Sequence, residues 1–522
     1  MAFNGGDQIS LGTSMIKKAA LWFCILMLSA CGGGSSAPII EPVASNQVPA
    51  PVSEENPTSE VKVITQTIDG LLVDRPYLIR YPENPSEENY PVVFFFHDIG
   101  ENGEQWLSKN PDVSDLIDDG KFIGIFPDGY ENEWNVGVET NVDDVEFVSL
   151  IVNELDTAGL FDVGKIFGVG SSNGAGLVNK IAKETTLFKA IAPLVGQQTE
   201  QNGAIVPSQS VSVFQVNGTE DSLVPVNGGS GPAGNIFMSA QGSAENWASN
   251  ANCDMTATAQ AQSWGDYPVQ QYTFGSCSNG KRVRYSLVEG AGDGVDFGEN
   301  VDLYGLIWRF FVSTDSSSPA RNFKMLALGD SYTIGQSVCT ICSFPEQLKA
   351  SLKLEYAEKD SFTLQVIAET GWTTTNLKTA IITEDPLSDF DLVTLLIGVN
   401  NQYQNKAFSL YETEFVELVN SAISFVGGDT TKLIVVSIPD YAFTPFGQNF
   451  NPTEISAELE LYNNFAQEYS EENALSYIYI TDITQQGLET PALVASDGLH
   501  PSSLAYSKFV ERILPIALEK LE

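Results

Sequence analysis

Residues 165–176 read KIFGVGSSNGAG: an apolar strand-like run, then a turn in which Gly170, Ser171, Ser172, Asn173 and Gly174 spell G-x-S-x-G, then the opening of a helical stretch that continues to Glu184. A strand-turn-helix of this kind holds its serine on a strained corner where the hydroxyl becomes an accessible nucleophile. Such a serine needs a base, and the whole 522-residue chain holds only two histidines, His97 and His500. A nucleotide-binding reading of Gly168-x-Gly170 is weaker, because the third glycine of G-x-G-x-x-G is missing.

Outward from this corner, apolar runs alternate with helical patterns. Strands are expected at 91–95, 122–126, 165–169, 211–216 and 283–288, with a helix over 143–158; after a polar break, STDSSSPARNF at 313–323, strands follow at 324–328, 363–367, 392–397, 432–438 and 477–480. Alternating strand and helix predicts two α/β domains with mainly parallel sheets. The expected organisation is a first domain over 62–313, a linker over 314–321 and a second domain over 322–522. Ligands of such sheets meet the loops at the carboxyl ends of the strands.

The chain opens on a processing signal. Lys17 and Lys18 precede an apolar run, 19–30, shorter than the roughly 20 residues that span a bilayer. Its end, Leu28-Ser29-Ala30-Cys31, resembles the lipobox of bacterial lipoproteins, which implies cleavage before Cys31 and lipidation of that thiol. The alternative is a plain secretory leader. The leader starts naturally at Met15, and Gly32 after the cysteine points to the outer membrane by analogy. Residues 31–61, rich in Gly, Ser, Pro and acids, are expected to be a flexible tether. With 26 Lys+Arg against 67 Asp+Glu, the net charge of −41 disfavours nucleic acid and anionic surfaces. The four cysteines beyond the leader, Cys253, Cys277, Cys339 and Cys342, form two local pairs, which in an exported chain suit disulfides. No second C-x-x-C and no nearby histidine supports a metal at Cys339-Thr-Ile-Cys342.

Over residues 62–313 the chain resembles the secreted α/β-hydrolases grouped with polyhydroxybutyrate depolymerases and feruloyl esterases. The residues that carry the likeness are YPVVFFFHDIG (90–100), FPDGYENEWN (126–135), VDDVEFV (142–148), GSSNGAG (170–176) and VNGTEDSLVP (216–225). The resemblance implies Ser172 as nucleophile, Asp221 as acid and a Cys253–Cys277 disulfide. The family's histidine belongs in the turn VEGAGDGVDF (288–297), where this chain has Asp293. A carboxylate near pKa 4 cannot take a serine proton and return it as an imidazole near 6.5 does. The first domain is therefore expected to be a hydrolase fold without a working triad, serving to bind or position.

In the second domain LALGDSYTIG (326–335) puts Ser331 just after a strand, and SDGLHPSS (496–503) puts Asp497 three residues before His500. With Gly371 in AETGWTT and Asn400 in LIGVNNQ, four blocks stand in order, and residues 322–522 resemble the SGNH (GDSL-type) hydrolases. The resemblance implies a three-layer α/β/α domain on a five-stranded parallel sheet, a Ser331-His500-Asp497 triad and an oxyanion hole from the Ser331 and Gly371 N–H groups and the Asn400 amide. No cofactor or metal is implied. Asn401 stands where the family often has aspartate. Trp372, Tyr441, Phe443 and Phe446 are candidates for lining the substrate site or for packing. The expected activity is a lipid-anchored serine esterase acting on short acyl esters, with acylated carbohydrate in view. The alternatives are a lysophospholipase or polyester hydrolase, and a surface polymer-binding protein whose hydrolase folds are both inactive.

Overall fold

Tyr90–Phe96 is a run of aromatic and β-branched residues with no polar alternation, and such a strand is buried on both faces. In the computed structural model, which describes residues 58–83, 89–137, 141–158, 161–298, 301–314 and 319–521, it lies inside a ten-stranded sheet. Val92, Phe94 and Phe96 enter one hydrophobic core, while Val93 and Phe95 enter another on the opposite face. The expected leader, the lipidation site Cys31 and most of the expected tether lie outside the described residues, as does part of the expected linker. No helix among the described residues is long and apolar enough to cross a membrane.

The strands are β1 (Ser59–Ile68), β2 (Leu71–Arg80), β3 (Tyr90–Phe96), β4 (Ile123–Pro127), β5 (Phe161–Ser171), β6 (Ala190–Leu194), β7 (Ser212–Gly218), β8 (Gly229–Ser230), β9 (Ile236–Phe237), β10 (Thr258–Trp264), β11 (Tyr267–Phe274) and β12 (Val283–Val288). The large sheet runs β1-β2-β4-β3-β5-β6-β7-β12-β11-β10, and β8 and β9 pair separately. Its centre, β4 to β12, is parallel, and both edges are antiparallel hairpins. The parallel centre was expected; the hairpins and β6 were not. Strand β1 begins at Ser59, inside the stretch read as tether to residue 61, because its outer residues are exposed and their polar pattern hides the strand.

Five further strands, β13 (Asn322–Gly329), β14 (Ser361–Ala368), β15 (Leu392–Leu396), β16 (Leu433–Val436) and β17 (Ser476–Ile478), make a second sheet of order β14-β13-β15-β16-β17. Every pairing in it is parallel. The overall class is α/β, as expected. Cys253–Cys277 and Cys339–Cys342 are disulfide-bonded.

The two sheets belong to one compact unit, and β12 supplies the staple. Arg284 is fully buried and donates to Glu355 Oε2 and to the Leu354 carbonyl, both at 2.7 Å. Arg282 donates to the carbonyls of Leu354 and Tyr356. Both cations thus meet the C-terminal end of helix Phe344–Glu355, where exposed carbonyls and the helix dipole favour positive charge. Removing one partner of a buried pair strands the other charge, at a cost of about 3–5 kcal/mol. Arg284→Met should lower the thermal midpoint accordingly, and adding Glu355→Gln should recover part of the loss, read by calorimetry on the two variants.

Candidate active site

Each strand of the second sheet that carries a candidate residue hands it over at its carboxyl end. Strand β13 ends at Gly329, Asp330 caps the next short helix by accepting the Tyr332 N–H at 3.0 Å, and Ser331 opens that helix. Gly329 tolerates no side chain, since a Cβ there would lie 2.4 Å from the Leu396 carbonyl oxygen. After β14 the chain turns at Gly371, whose φ of +84° is a conformation glycine adopts freely. After β15 it turns at Gly398 and enters helix Val399–Tyr403, which carries Asn400.

Asn400 Nδ2 donates to the Trp372 carbonyl at 3.0 Å, binding the β15 turn to the β14 turn. Asn401, in place of the expected aspartate, still makes the link to the β14 loop: its Oδ1 accepts the Thr374 N–H at 2.9 Å and its Nδ2 donates to Thr374 Oγ1 at 2.7 Å. Burial pushes the Asp330 carboxyl up to about 7, against the opposing pull of the Tyr332 N–H and the Asn400 amide.

Asp497 and His500 come from the loop before helix Ser503–Lys520, which Ser502 caps. His500 Nδ1 lies 2.6 Å from Asp497 Oδ2, while Asp497 Oδ1 accepts the N–H groups of Leu499 and His500 at 2.9 and 3.0 Å. Partial burial pushes the Asp497 carboxyl up, but hydrogen bonds from Ser337, His500 and these two N–H groups outweigh it and hold it well below the usual carboxylate range. An ionised Asp497 favours the tautomer with the proton on Nδ1, which leaves Nε2 with its lone pair. His500 packs edge-on against Tyr332, the neighbour of Ser331, with ring centroids 5.7 Å apart. The structure thus gathers Ser331, Gly371, Asn400, Asp497 and His500 at one end of the sheet.

The first sheet presents a different picture around Ser172. The residue has φ 49° and ψ −109°, the strained corner expected of the motif. Both flanking glycines are required by close approach: a Cβ on Gly170 would sit 2.2 Å from the Gly174 carbonyl oxygen, and one on Gly174 would sit 2.2 Å from that of Phe96. Asp221 is buried and its Oδ1 accepts the N–H groups of Leu223 and Val224 at 2.8 Å. Its Oδ2 is buried without a hydrogen-bond partner among the described residues. Burial raises the Asp221 carboxyl, and the negative charges of Asp293 and Asp98 raise it further. Asp293 itself is exposed.

His97 does not fill the gap. Its Nε2 accepts the Gly129 N–H at 2.9 Å, its Nδ1 lies 2.7 Å from the Asp98 carbonyl, and the ring packs on Trp134 at 4.7 Å. Both ring nitrogens are committed to the backbone, and burial pushes the imidazole down.

A cavity of about 470 Å³ opens at Ser172, lined by Asn173, Trp134, Leu223 and Phe237 among others. A hollow of about 10 Å³ lies between Tyr332, Tyr441, Leu493 and His500. A cleft of about 860 Å³ lies between β10 and helices Phe344–Glu355 and Ser503–Lys520 and touches neither serine. Of the aromatic candidates, Tyr441 is buried, while Trp372, Phe443 and Phe446 are half-buried. Two exposed aromatics escaped the sequence reading: Tyr403, at the end of the helix that carries Asn400, and Phe450. They cluster with Phe446, at centroid distances of 6.2 Å (Tyr403–Phe446) and 5.2 Å (Phe446–Phe450). The Phe446 N–H donates to the carbonyl of Gly498, between Asp497 and His500. Tyr403 follows Asn400 by three residues, the helical spacing that shares a face, and this was the available signal.

Residues 327–508 match the GDSL-like Lipase/Acylhydrolase family. The chain is 24% identical over 232 residues to "Feruloyl esterase B" of Piromyces equi, a match that covers 42% of this chain and 42% of that protein. It is 24% identical over 246 residues to "Probable feruloyl esterase C" of Aspergillus niger, covering 46% of this chain and 84% of the relative. Among solved structures, an acetyl xylan esterase from Aspergillus awamori aligns at 15% identity with a TM-score of 0.36, over 48% of this chain and 99% of that one.

Proposed function

We propose that the protein is a serine ester hydrolase whose chemistry resides in its second half, within residues 322–522, with Ser331 as nucleophile, His500 as general base and acid, and Asp497 as the residue that orients His500. The observation that carries this reading is the Asp497–His500 hydrogen bond standing beside the Ser331 turn, with Gly371 and Asn400 on the adjoining loops. Ser331 Oγ attacks the ester carbonyl carbon as His500 Nε2 takes its proton, and the carbonyl oxygen becomes an oxyanion met by the Ser331 and Gly371 N–H groups and the Asn400 amide. Collapse expels the alcohol, which receives the proton from His500, and leaves an acyl-Ser331. Water then repeats the cycle and releases the acid. No cofactor is required.

The short-acyl reading rests on the sequence, in which no long apolar lid stands beside the motifs, and it disfavours a lysophospholipase. The larger part of the ester is left to the open aromatic shelf of Tyr403, Phe446 and Phe450. Aromatic faces suit the apolar face of a sugar ring, and the charge of −41 disfavours anionic polymers. The curated relatives are named as feruloyl esterases, which supports an ester substrate. In this reading the first half, residues 62–313, is a binding or positioning module with a silent Ser172-Asp221-Asp293 site, and Cys31 anchors the exported chain to the outer membrane through lipid.

The test is a series of p-nitrophenyl esters from acetyl to dodecanoyl, followed by an acetylated neutral oligosaccharide. Turnover should fall steeply beyond four carbons; a preference for the long chains would overturn the reading. The double substitution Phe446→Ala and Phe450→Ala should raise KM for the oligosaccharide by about 3- to 10-fold, the worth of one or two aromatic contacts. The same variant should leave KM for p-nitrophenyl acetate within twofold of the starting value.

A further inference from the structure

Helix Ser331–Ile334 ends at Gly335, and the loop that follows reaches back into the site at two points. Ser337 Oγ donates to Asp497 Oδ2 at 2.6 Å, the same oxygen that faces His500 Nδ1. The preceding residue, Gln336, accepts from Thr370 Oγ1 at 2.7 Å, one position before Gly371. The loop is held in return: the Gln336 N–H donates to the Ser331 carbonyl at 3.0 Å, the Cys342 N–H to the Cys339 carbonyl at 2.8 Å, and Cys339–Cys342 is closed as a disulfide. Gly335 has φ +75°, and a Cβ there would lie 2.6 Å from that of Ser343, so the loop folds tightly on itself.

Ser337 has φ 69°, a left-handed conformation that costs a residue bearing a Cβ and that Asn or Gly occupies more readily. A turn alone would be better served by glycine. The serine keeps a hydroxyl at the one spot from which it meets the acid.

We propose that Ser337 is a positioning residue, whose hydroxyl holds the Asp497 carboxylate with Oδ2 toward His500. This rests on the catalytic reading given above. Asp497 Oδ1 is fixed by two backbone N–H groups, whereas Oδ2 has His500 and Ser337 as its hydrogen-bond partners among the described residues. When His500 takes the Ser331 proton, its Nδ1–H must stay on the ring and bonded to Oδ2. A second donor on Oδ2 lowers that oxygen's proton affinity, so the imidazolium keeps its proton, and it holds the carboxylate against rotation.

The full chain carrying Ser337→Ala, Ser337→Gly or Ser337→Asn tests this, with Ser331→Ala alongside, on p-nitrophenyl acetate. A hydrogen bond to a charged group corresponds to about 10- to 100-fold, so kcat should fall by that factor in both the Ala and the Gly variant with KM unchanged. The Asn variant tolerates the left-handed turn and keeps an N–H donor, and should recover most of the rate. The Gly variant should melt no lower than the Ala variant, which separates the activity order from the stability order. A Gly variant with kcat within twofold of the parent, while Ser331→Ala is dead, would overturn the positioning role and leave the triad standing. Full hydrolysis by Ser331→Ala would overturn both.

Discussion

Ser331→Ala is expected to remove ester turnover by a factor on the order of 10⁴ to 10⁶, and with it all labelling of the protein by a fluorophosphonate, while Ser172→Ala leaves both within twofold of the parent. The asymmetry is a matter of bases. In the proposed site Ser331 is served by His500, whose Nδ1 is held by Asp497, so that Nε2 would take the proton. Ser172 keeps the strained corner, the two tight glycines and a buried acid, and so retains most of what makes an elbow. What faces that acid is the charge of Asp293, which raises the Asp221 carboxyl instead of donating a hydrogen bond to it. His97 has both ring nitrogens turned to backbone partners and cannot be recruited without dismantling the β3 turn. The experiment reads the labelled peptide by mass spectrometry. Label that persists in Ser331→Ala and vanishes in Ser172→Ala would reverse the assignment and require a base at the first site that the described residues do not supply.

The parts of the fold legible in the sequence were those where one physical signal acts alone. Strands β3, β13 and β15 are apolar on both faces and read as continuous runs. Strand β6, AIAPL, is as buried as they are, but it is short and contains Pro193, and both features argue against a strand. The edge hairpin β10–β11 buries polar residues, Gln271 and Thr273, and half-buries Gln260, Gln262 and Gln270, so its apolar pattern is too weak to separate from loop. The site divides in the same way. Ser331, Gly371, Asn400, Asp497 and His500 stand in short motifs ordered as in the family that residues 322–522 resemble, and could be named from that resemblance. Ser337 has no motif: its role depends on the loop after Gly335 folding back by 160 positions in sequence to reach Asp497, a contact set by tertiary structure alone. The exposed aromatics Tyr403 and Phe450 were hidden for a related reason, since a chain read linearly does not show which rings share a surface with the histidine loop.

Asn400→Ala should lower kcat by about 10²- to 10³-fold with little change in KM, the size of effect that follows loss of one oxyanion donor. The side-chain amide has two N–H groups. One is spent in the free protein on the Trp372 carbonyl, at 3.0 Å, and this bond fixes the plane of the amide between the β14 and β15 turns. The other lies close to the Asp330 carboxyl in the free protein and, in the proposed mechanism, serves the reacting oxygen, which becomes a strong acceptor only when the carbonyl turns tetrahedral. The donor therefore acts on the transition state more than on the bound ester, and the loss appears in kcat. Asn400→Asp separates this from packing. It preserves the volume, but it sets an acceptor against the Trp372 carbonyl and brings a carboxylate close to the buried Asp330. The Asp variant should be at least as slow as the Ala variant at neutral pH, although it is the closer isostere. If Asn400→Asp retained a tenth or more of the parent kcat, the amide would be serving only to tie the two turns, and the third oxyanion donor would have to be sought elsewhere on the helix that follows β15.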